Sequence, residues 1–345
     1  METSLQKTAD RRTSRSRFLV SFGFLVLLTL GMFYVHLRTG FAHLSDRELW
    51  QVLLGGGTEA QRLTVFDFRM VRSLLAVLVG GGLAMSGALF QTISRNELAS
   101  PSLLGVNAGA GLFVMLLIYA RDTSAPSPFW QLPLAAVAGA ALAALLIYRL
   151  AYRKGRTLSP YRLVLTGIAL TAGIHALQLL LVVRLDPQKF HIVNTWIIGS
   201  LSGNTWIHAA ALAPVVLLLG LLLWSRSMDL NLLSLADETA IGLGLPINRA
   251  RFFYLMAGVV LAASCVAIGG NIGFVGLICP HIARRLAGAD FFRLLPFTAV
   301  LGSLLVLAAD WVGRVIIAPD EMLLGIVISI LGAPYFLYIL VRTRK

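Results

Sequence analysis

Three arginines lie where apolar runs begin and end, and guanidinium groups are suited to binding carboxylates through paired hydrogen bonds. Arg69 and Arg72 open one apolar run, and Arg314 closes another, four residues after Asp310. The pattern fits snorkelling side chains with an Asp310–Arg314 pair inside one helix. It also fits a surface that binds the carboxylates of a partner, and the spacing alone leaves both interpretations open.

Other residues that could do chemistry are scarce. His175 lies near the middle of an apolar run without a second histidine four residues away, which gives little support to a di-haem or proton-coupled mechanism. Cys265 and Cys279 fall in or near apolar helix and form neither a disulfide framework nor a CxxC metal site. The sequence contains no phosphate-binding loop, HExxH, GxSxG or dinucleotide fingerprint. We therefore predict no catalytic residue, metal or cofactor, and we assign any ATP hydrolysis to another chain.

The composition requires a membrane environment. Hydrophobic residues make up 57% of the 345 residues, charged residues make up 13%, and the mean hydropathy is +0.81. That leaves too little polar surface for a soluble globule. Because lipid offers the backbone no hydrogen-bond partners, the spans must be helices of about 20 residues each. The predicted fold class is an all-α polytopic membrane protein.

Ten apolar runs are candidates for these spans. The eighth is the least secure because glycine and proline interrupt it, and no small-residue cleavage pattern follows the first. We predict a single transmembrane domain over residues 18–345, preceded by a short tail of residues 1–17. The ten runs are residues 18–37, 71–93, 103–120, 132–152, 163–183, 207–224, 252–268, 270–283, 295–317 and 322–341.

The loops carry their positive charge unevenly. With the N-terminus inside, one side collects 20 of the 29 Lys and Arg residues, including those at both termini. Positively charged loops are retained in the cytoplasm, so both termini are predicted to be cytoplasmic. The basic residues behind the formal net charge of +13 then orient the helices and interact with anionic lipid headgroups. This charge therefore gives no reason to expect a nucleic-acid partner.

Small residues are concentrated in the second and third runs. We predict that they let helix backbones pack closely, since lipid supplies no hydrophobic drive between helices. A channel wall that rearranges would use the same residue types, so this second interpretation stays open. The residues are Gly80, Gly81, Gly82, Ala84, Ser86, Gly87, Gly105, Gly109 and Gly111.

The densest pattern is residues 269–290, GGNIGFVGLICPHIARRLAGAD, in which a glycine-rich apolar segment runs into Pro280-His281 and the twin arginines Arg284 and Arg285. Together with later motifs, it resembles the FecCD- and BtuC-type permease family of binding-protein-dependent ABC importers, which take up iron-siderophores, haem and cobalamin. The resemblance covers the chain from Arg69 to the C-terminus. The later motif residues are Ala309, Asp310, Arg314, Pro319, Glu321, Gly325 and the Leu331-Gly332-Ala333-Pro334 run.

This resemblance implies a type II ABC importer permease fold, with about ten transmembrane helices per subunit and a path between two permease subunits. The implied partners are two ATPase subunits, a second permease subunit, identical or homologous, and a periplasmic or lipid-anchored substrate-binding protein. The implied location is the bacterial cytoplasmic (inner) membrane. The chain would be a transport subunit and not an enzyme.

The resemblance also implies roles for the three arginines. Arg69 and Arg72 occupy the positions of the family's Arg-x-Pro-Arg motif, and Arg314 that of its Ala-Asp-x-x-x-Arg motif. These motifs form salt bridges with glutamates on the lobes of the binding protein. Val71 stands where the family has proline, so the entry into the helix is expected to differ.

Two further segments match family features. The turn SRNELASP, residues 94–101, resembles one that narrows the path at its cytoplasmic end, which assigns Asn96 and Leu98 to a gate; a purely structural loop is the alternative. Glu97 replaces the family's proline there. Residues 230–251 resemble the paired cytoplasmic helices that dock into the ATPase, with a surface amphipathic helix as the alternative. The coupling residues implied are Leu235, Ala240, Leu243, Gly244 and Arg251.

The expected mechanism is alternating access driven by separate ATPase subunits, with specificity residing mainly in the binding protein. Ferric siderophore is the expected cargo because it is the commonest in the family, and haem or cobalamin is the alternative. A secondary transporter or a membrane redox subunit is the alternative from a different class. The scarcity of ionisable residues inside the apolar runs argues against it.

Overall fold

Helices make up most of the computed structural model, which describes residues 2–40, 44–102, 104–121, 128, 130–152, 157–318 and 320–342. Within these ranges, side chains are described from Ser16 to Val341. Several residues used in the sequence argument lie outside the description: Leu103, Arg153, Lys154, Arg156, Pro319, Arg344 and Lys345, and the side chains of the tail residues 1–15 and of Arg342.

The helices follow one another with short connections. Their bounds are α1 Glu2–Arg38, α2 Asp46–Leu53, α3 Glu59–Arg62, a π-helical segment Leu63–Met70, α4 Val71–Ser94, α5 Val106–Ala120, α6 Gln131–Ala151, α7 Pro160–Val182, α8 Pro187–Ile198, α9 Trp206–Ser225, α10 Ser227–Leu233, α11 Asp237–Gly242, α12 Ile247–Gly269, α13 Val275–Ala287, α14 Phe291–Val315 and α15 Leu324–Arg342.

Each of the ten predicted runs overlaps one of these helices, namely α1, α4 to α7, α9 and α12 to α15. In the described part of the chain, eight helices are long and apolar enough to cross a membrane. The other two are shorter: α5 has 15 residues and α13 has 13. A helix the length of α13 covers about 20 Å of a hydrocarbon core of about 30 Å.

The structure differs from the sequence prediction at α13, α8 and α1. Helix α13 begins at Val275 and not at Gly270, because Gly270 (φ 75°) and Phe274 (φ 61°) have left-handed backbone conformations that interrupt the helix. Helix α8 was not predicted; Asp186 caps it by accepting a hydrogen bond from Lys189 N at 2.8 Å. Helix α1 begins at Glu2, so residues 2–17 of the predicted tail are helical, although the membrane-capable part of α1 is Ser16–Arg38.

Helix α4 forms the centre of the bundle, and almost all of it is buried. Two of its glycines explain how its neighbours approach so closely. A Cβ at Gly80 would overlap the carbonyl oxygen of Gly302 on α14, and a Cβ at Gly87 would overlap that of Gly276 on α13. At these two positions the prediction that small residues serve backbone packing is confirmed, since no side chain fits between the helices.

The direction of the helices defines two ends of the bundle. Arg72 lies in the first turn of α4 and contacts Asp310 on α14, and Arg95 follows the last residue of α4 and contacts Asp237. We call these the Asp310 end and the Asp237 end. Helix α1 ends at the Asp310 end, where His36 contacts Asp310. Helix α15 starts near the same end, because Glu321, which precedes it in the sequence, contacts Arg72. The first residues of α1 and the last residues of α15 therefore both lie toward the Asp237 end.

Candidate functional site

Asp310 is the centre of a buried polar cluster. Its carboxylate is 2% exposed and accepts hydrogen bonds from Arg72 Nε at 2.8 Å and Arg72 Nη2 at 3.0 Å. His36 Nε2 lies 2.9 Å from the same carboxylate, and Arg314 Nε lies 3.4 Å from it. The cluster therefore joins α1, α4 and α14, which are far apart in the sequence. It includes the Asp310–Arg314 pair that the spacing predicted.

Ser73 completes the contacts of His36. Its Oγ lies 2.6 Å from His36 Nδ1 and 2.7 Å from the carbonyl oxygen of Arg69. An ionised carboxylate only accepts, so His36 Nε2 is the donor to Asp310. The single hydroxyl proton of Ser73 lies within reach of both the Arg69 carbonyl oxygen and His36 Nδ1. Neither residue belongs to a recognisable motif, and the place of His36 at the end of an apolar run is the sole sequence signal for it.

Arg69 and Arg314 cap the C-terminal end of α1. Arg69 Nη1 donates to the carbonyl oxygens of Leu37 at 2.9 Å and Arg38 at 2.7 Å. Arg314 donates to the carbonyl oxygen of Thr39 from Nη1 at 3.2 Å and to that of His36 from Nη2 at 3.4 Å. The last carbonyls of a helix lack intrahelical partners and carry partial negative charge, so cations are stabilising there.

The three arginines predicted to bind a partner differ in their access to solvent. Arg69 is 5% exposed and Arg314 is 6% exposed, whereas Arg72 is 15% exposed and reaches the surface. Arg72 Nη1 pairs with the half-exposed Glu321 at 2.8 Å, and Ser202 Oγ donates to the same carboxylate at 3.2 Å. The cluster thus brings all three arginines together but presents Arg72 and Glu321 at its surface. The docking role itself stays a prediction.

A second polar cluster surrounds Asp237 at the opposite end. Arg251 is 1% exposed and donates to Asp237 from Nη2 at 2.7 Å and Nη1 at 3.0 Å. Arg251 Nη1 also donates to the carbonyl oxygen of Leu158 at 2.8 Å, and Arg95 Nη2 lies 2.5 Å from Asp237. Partial burial raises the pKa of Asp237, but the hydrogen bonds and charges of Arg251 and Arg95 outweigh it and hold that pKa below its ordinary value.

Hydrogen bonds fix α10, at the start of the predicted coupling segment, to the bundle. Asn231 Nδ2 donates to Asp290 Oδ1 at 2.9 Å, and Asn231 Oδ1 accepts from Phe291 N at 2.9 Å, which attaches α10 to the start of α14. Tyr254 OH donates to Asp229 Oδ2 at 2.8 Å. The segment is therefore a folded part of the domain. Its displacement would act on α12 and α14 through these hydrogen bonds.

The predicted coupling residues divide into buried and exposed sets. Ala240 and Arg251 are buried and hold α11 in place, whereas Leu235 and Leu243 are exposed and Gly244 adopts a left-handed turn (φ 90°) in open space. Sequence reasoning missed two exposed apolar neighbours, which are Met228 and Ile241. We call the set of Met228, Leu235, Ile241 and Leu243 the apolar patch of the Asp237 end.

The predicted gate residues lie in a tight turn after α4. Asn96 Oδ1 accepts from Leu98 N at 2.9 Å, and Ala99 N donates to the carbonyl oxygen of Asn96 at 3.0 Å. Such an Asx turn restrains the backbone without a proline. Glu97, at the position where the family has proline, lies 3.4 Å from His281 Nδ1 on α13. Asn96 and Leu98 are both half-buried, and their gating role stays a prediction.

The remaining candidates have local roles. Cys265 and Cys279 are free and buried. His175 is exposed on α7, and its Nδ1 lies 3.0 Å from Gln178 Oε1. Among the residues that the structure describes, no three His, Cys, Asp or Glu side chains come together as a metal site.

Comparison with known proteins agrees with this architecture. Residues 26–342 match the FecCD transport family. The chain is 43% identical to the iron(3+)-hydroxamate import system permease protein FhuG of Bacillus subtilis, over 96% of this chain and 100% of FhuG. It is 37% identical to the hemin transport system permease protein HmuU of Yersinia pestis, over 94% of this chain and 96% of HmuU. A solved structure, assigned to a metal-chelate type ABC transporter in an inward-facing conformation, matches with a TM-score of 0.82 at 30% identity, over 93% of this chain and 98% of that chain.

The fold and these relatives define a multi-pass membrane permease of the ABC importer class, a transport subunit and not an enzyme. The chain belongs to the FecCD transport family. Permeases of this class lie in the inner membrane and work with ATPase and substrate-binding partners. The family and the helical fold predicted from the sequence are thus confirmed.

We expect Asp310→Asn to destabilise the protein by about 3–5 kcal/mol, because Arg72 and Arg314 would lose an ionised partner in a buried site. Glu321→Gln is the matched control: it removes a carboxylate that is 46% exposed, which is expected to cost about 1 kcal/mol or less. Thermal unfolding of the purified permease in detergent micelles measures both changes. Equal melting temperatures for the two variants would contradict a structural role for the Asp310 cluster.

Proposed function

We propose that this chain is the permease subunit for a ferric siderophore, which it moves across the cytoplasmic membrane by alternating access. The carrying observation is the full-length similarity to FhuG, whose name specifies iron(3+)-hydroxamate import, at 43% identity. Haem is the second candidate, because the similarity to HmuU is also nearly full-length. The suggestion of cobalamin as the cargo rests on the family resemblance alone.

We orient the protein with the Asp237 end in the cytoplasm. Lys and Arg are concentrated in the loops and termini on that side, which supports the orientation because positive loops are retained in the cytoplasm. The directions of α1 and α15 support a cytoplasmic location for both termini. In this orientation, the Asp310 end faces the periplasm or cell exterior, where a substrate-binding protein would arrive.

The binding protein docks at the Asp310 end, with Arg72 as the principal contact. Arg72 and Arg314 contact the carboxylates of Asp310 and Glu321, and Arg69 adds a third guanidinium group at the end of α1, so positive charge is concentrated near Arg72. A carboxylate of the partner could share the Arg72 guanidinium or displace Glu321 from it, with bidentate geometry. Arg69 and Arg314 support this contact by fixing the end of α1 beneath it.

An ATPase subunit docks at the Asp237 end on the apolar patch. Its four side chains, between 39% and 70% exposed, lie on or beside the short helices α10 and α11 in the proposed cytoplasmic orientation. Exposed apolar residues grouped on short helices suit insertion into a groove of a partner. The complete transporter would contain two such permeases, identical or homologous, and two ATPase subunits, with Asn96 and Leu98 narrowing the path on the cytoplasmic side.

Deletion of the gene is expected to abolish uptake of iron-55 from one ferric siderophore, with hydroxamate complexes tested first. Labelled haem and cobalamin are offered in parallel to iron-starved cells, and the intact gene is returned on a plasmid as the control. Loss of haem or cobalamin uptake alone would identify that compound as the cargo and would leave the assignment to the ABC importer permeases unchanged. Unchanged uptake of every compound would contradict the proposed function.

We expect Arg72→Gln to weaken binding of the substrate-binding protein to the purified transporter by about tenfold or more, because charge-assisted hydrogen bonds would be lost. Binding is measured by surface plasmon resonance at low and high salt, since screening should diminish the difference. Arg47→Gln is the control, because Arg47 is an exposed cation on α2 at the same end. Unchanged affinity for Arg72→Gln, with a melting temperature that shows a folded protein, would contradict the docking role.

We expect Leu243→Asp to prevent co-purification of the ATPase subunit while leaving the permease folded. Leu243 is 60% exposed, so the aspartate removes apolar contact area without disturbing the core. Glu238→Gln, an exposed change on the neighbouring helix, is the control and should retain the ATPase. Normal ATPase recovery with Leu243→Asp would show that the patch is not the docking surface.

A further inference from the structure

The Asp237 end contains a direct connection between two segments with different predicted tasks. Asp237 is the first residue of α11, in the segment assigned to ATPase coupling. Arg95 immediately follows α4 and opens the turn assigned to the gate. Their side chains form an ion pair of 2.5 Å, and the Arg95 guanidinium also donates to the carbonyl oxygen of Leu235. Two contacts from one arginine therefore hold the gate turn against the coupling segment.

We propose that the Arg95–Asp237 pair is the link that transmits displacement of the coupling segment to the gate turn. This inference rests on the proposed function, since it requires that the ATPase move residues 230–251. Arg95 acts here as a positioning residue, because it acts through Asn96 and Leu98 and not through contact with the cargo.

The backbone conformation at Arg95 determines how a force on its side chain reaches the gate turn. Arg95 has φ 49° and ψ 36°, a left-handed conformation that non-glycine residues rarely adopt. This conformation ends α4 and turns the chain, while the Arg95 side chain reaches α11. Asn96 N donates to the carbonyl oxygen of Gln91 at 3.1 Å, so the turn is also fastened to the last turn of α4. A pull on the Arg95 guanidinium would thus act on the turn at its first residue.

The two arginines on Asp237 have different tasks. Arg251 is buried and also bonded to Leu158, so it fixes α11 to α12 and to the segment before α7. Arg95 is 34% exposed, and its guanidinium contacts Asp237 and the carbonyl oxygen of Leu235 in the coupling segment. Removing Arg95 would leave the buried Arg251–Asp237 pair intact, whereas removing Asp237 would leave Arg251 buried without its carboxylate. Substitution of Arg95 therefore removes the link with a smaller effect on the fold than substitution of Asp237.

The connection continues beyond the turn. Glu97 Oε2 lies 3.4 Å from His281 Nδ1 on α13, and α13 packs on α4 at the Gly87–Gly276 contact. Movement of the turn would therefore reach a second helix next to the core helix. The geometry defines a continuous series of contacts from α11 through Arg95 and Glu97 to α13, all within the described residues.

The test uses the complete transporter with its ATPase subunits, reconstituted in proteoliposomes. Arg95→Asn removes the ion pair, and asparagine tolerates the left-handed backbone conformation. We expect it to retain ATPase assembly and ATP hydrolysis but to transport ferric hydroxamate labelled with iron-55 about tenfold more slowly, since an interaction worth about 1.4 kcal/mol changes an equilibrium tenfold. Arg95→Lys keeps a cation that can reach Asp237 and should restore part of the transport. Arg149→Asn, which removes an exposed arginine in the last turn of α6, is the matched control and should transport normally.

A second readout is independent of the cargo. The substitution Leu98→Cys places a thiol in the turn, and its rate of reaction with a maleimide reports on the turn because the two native cysteines are buried. With Arg95 present, addition of ATP and vanadate should change this rate by several-fold. With Arg95→Asn, the change should be absent while ATP is still hydrolysed.

Three results for transport or assembly would overturn the link. They are normal transport by Arg95→Asn, equal loss of transport in the Asn and Lys variants, and loss of ATPase assembly in Arg95→Asn, which would make Arg95 a folding residue. A nucleotide-dependent change in the labelling of Leu98→Cys that survives in Arg95→Asn would also reject the link. Failure of the proposed function is distinguishable, because the unsubstituted transporter would then not transport the ferric hydroxamate.

Discussion

Lipid offers no hydrogen-bond partners to a protein, so every polar group within the bilayer must be satisfied by the protein itself. The end of α1 shows the consequence. Its last carbonyl oxygens accept from Arg69 and Arg314, and the carboxylate of Asp310 is contacted by Arg314, Arg72 and His36. The packing of α1 against α4 and α14 depends on this network, because removal of Asp310 would leave buried cations unpaired.

Helix α4 connects the two polar clusters. Arg72 lies in its first turn within the Asp310 cluster, and Arg95 follows its last residue within the Asp237 cluster. Between them, glycines bring α13 and α14 into backbone contact, and such close-packed interiors have little room to deform. A rigid central helix with an ionic contact at each end suits a transporter in which events on the two membrane faces must be coordinated.

Burial separates residues that hold the structure from residues available to partners. Arg251 and Ala240 match the coupling pattern of the family, yet both are internal, and the exposed surface beside them is formed by the apolar patch. The same distinction applies at the other end, where the side chains of Arg69 and Arg314 are less exposed than that of Arg72. A family motif therefore marks a region with a shared task, and only the burial of each side chain indicates how it contributes.

Hydropathy and motif spacing are local properties of the chain, and they were enough to establish the membrane class, the family and the approximate position of all ten predicted helices. They also indicated the Asp310–Arg314 pair, whose members are one turn apart. They did not indicate the π-helical segment that carries Arg69, the late start of α13, the contacts of His36 or the Arg95–Asp237 pair. The contacts depend on which helices become neighbours, and partners such as His36 and Asp310 are separated by 274 residues. They emerged only with the packed bundle, since long-range pairing follows from packing and leaves no periodic signal along the chain.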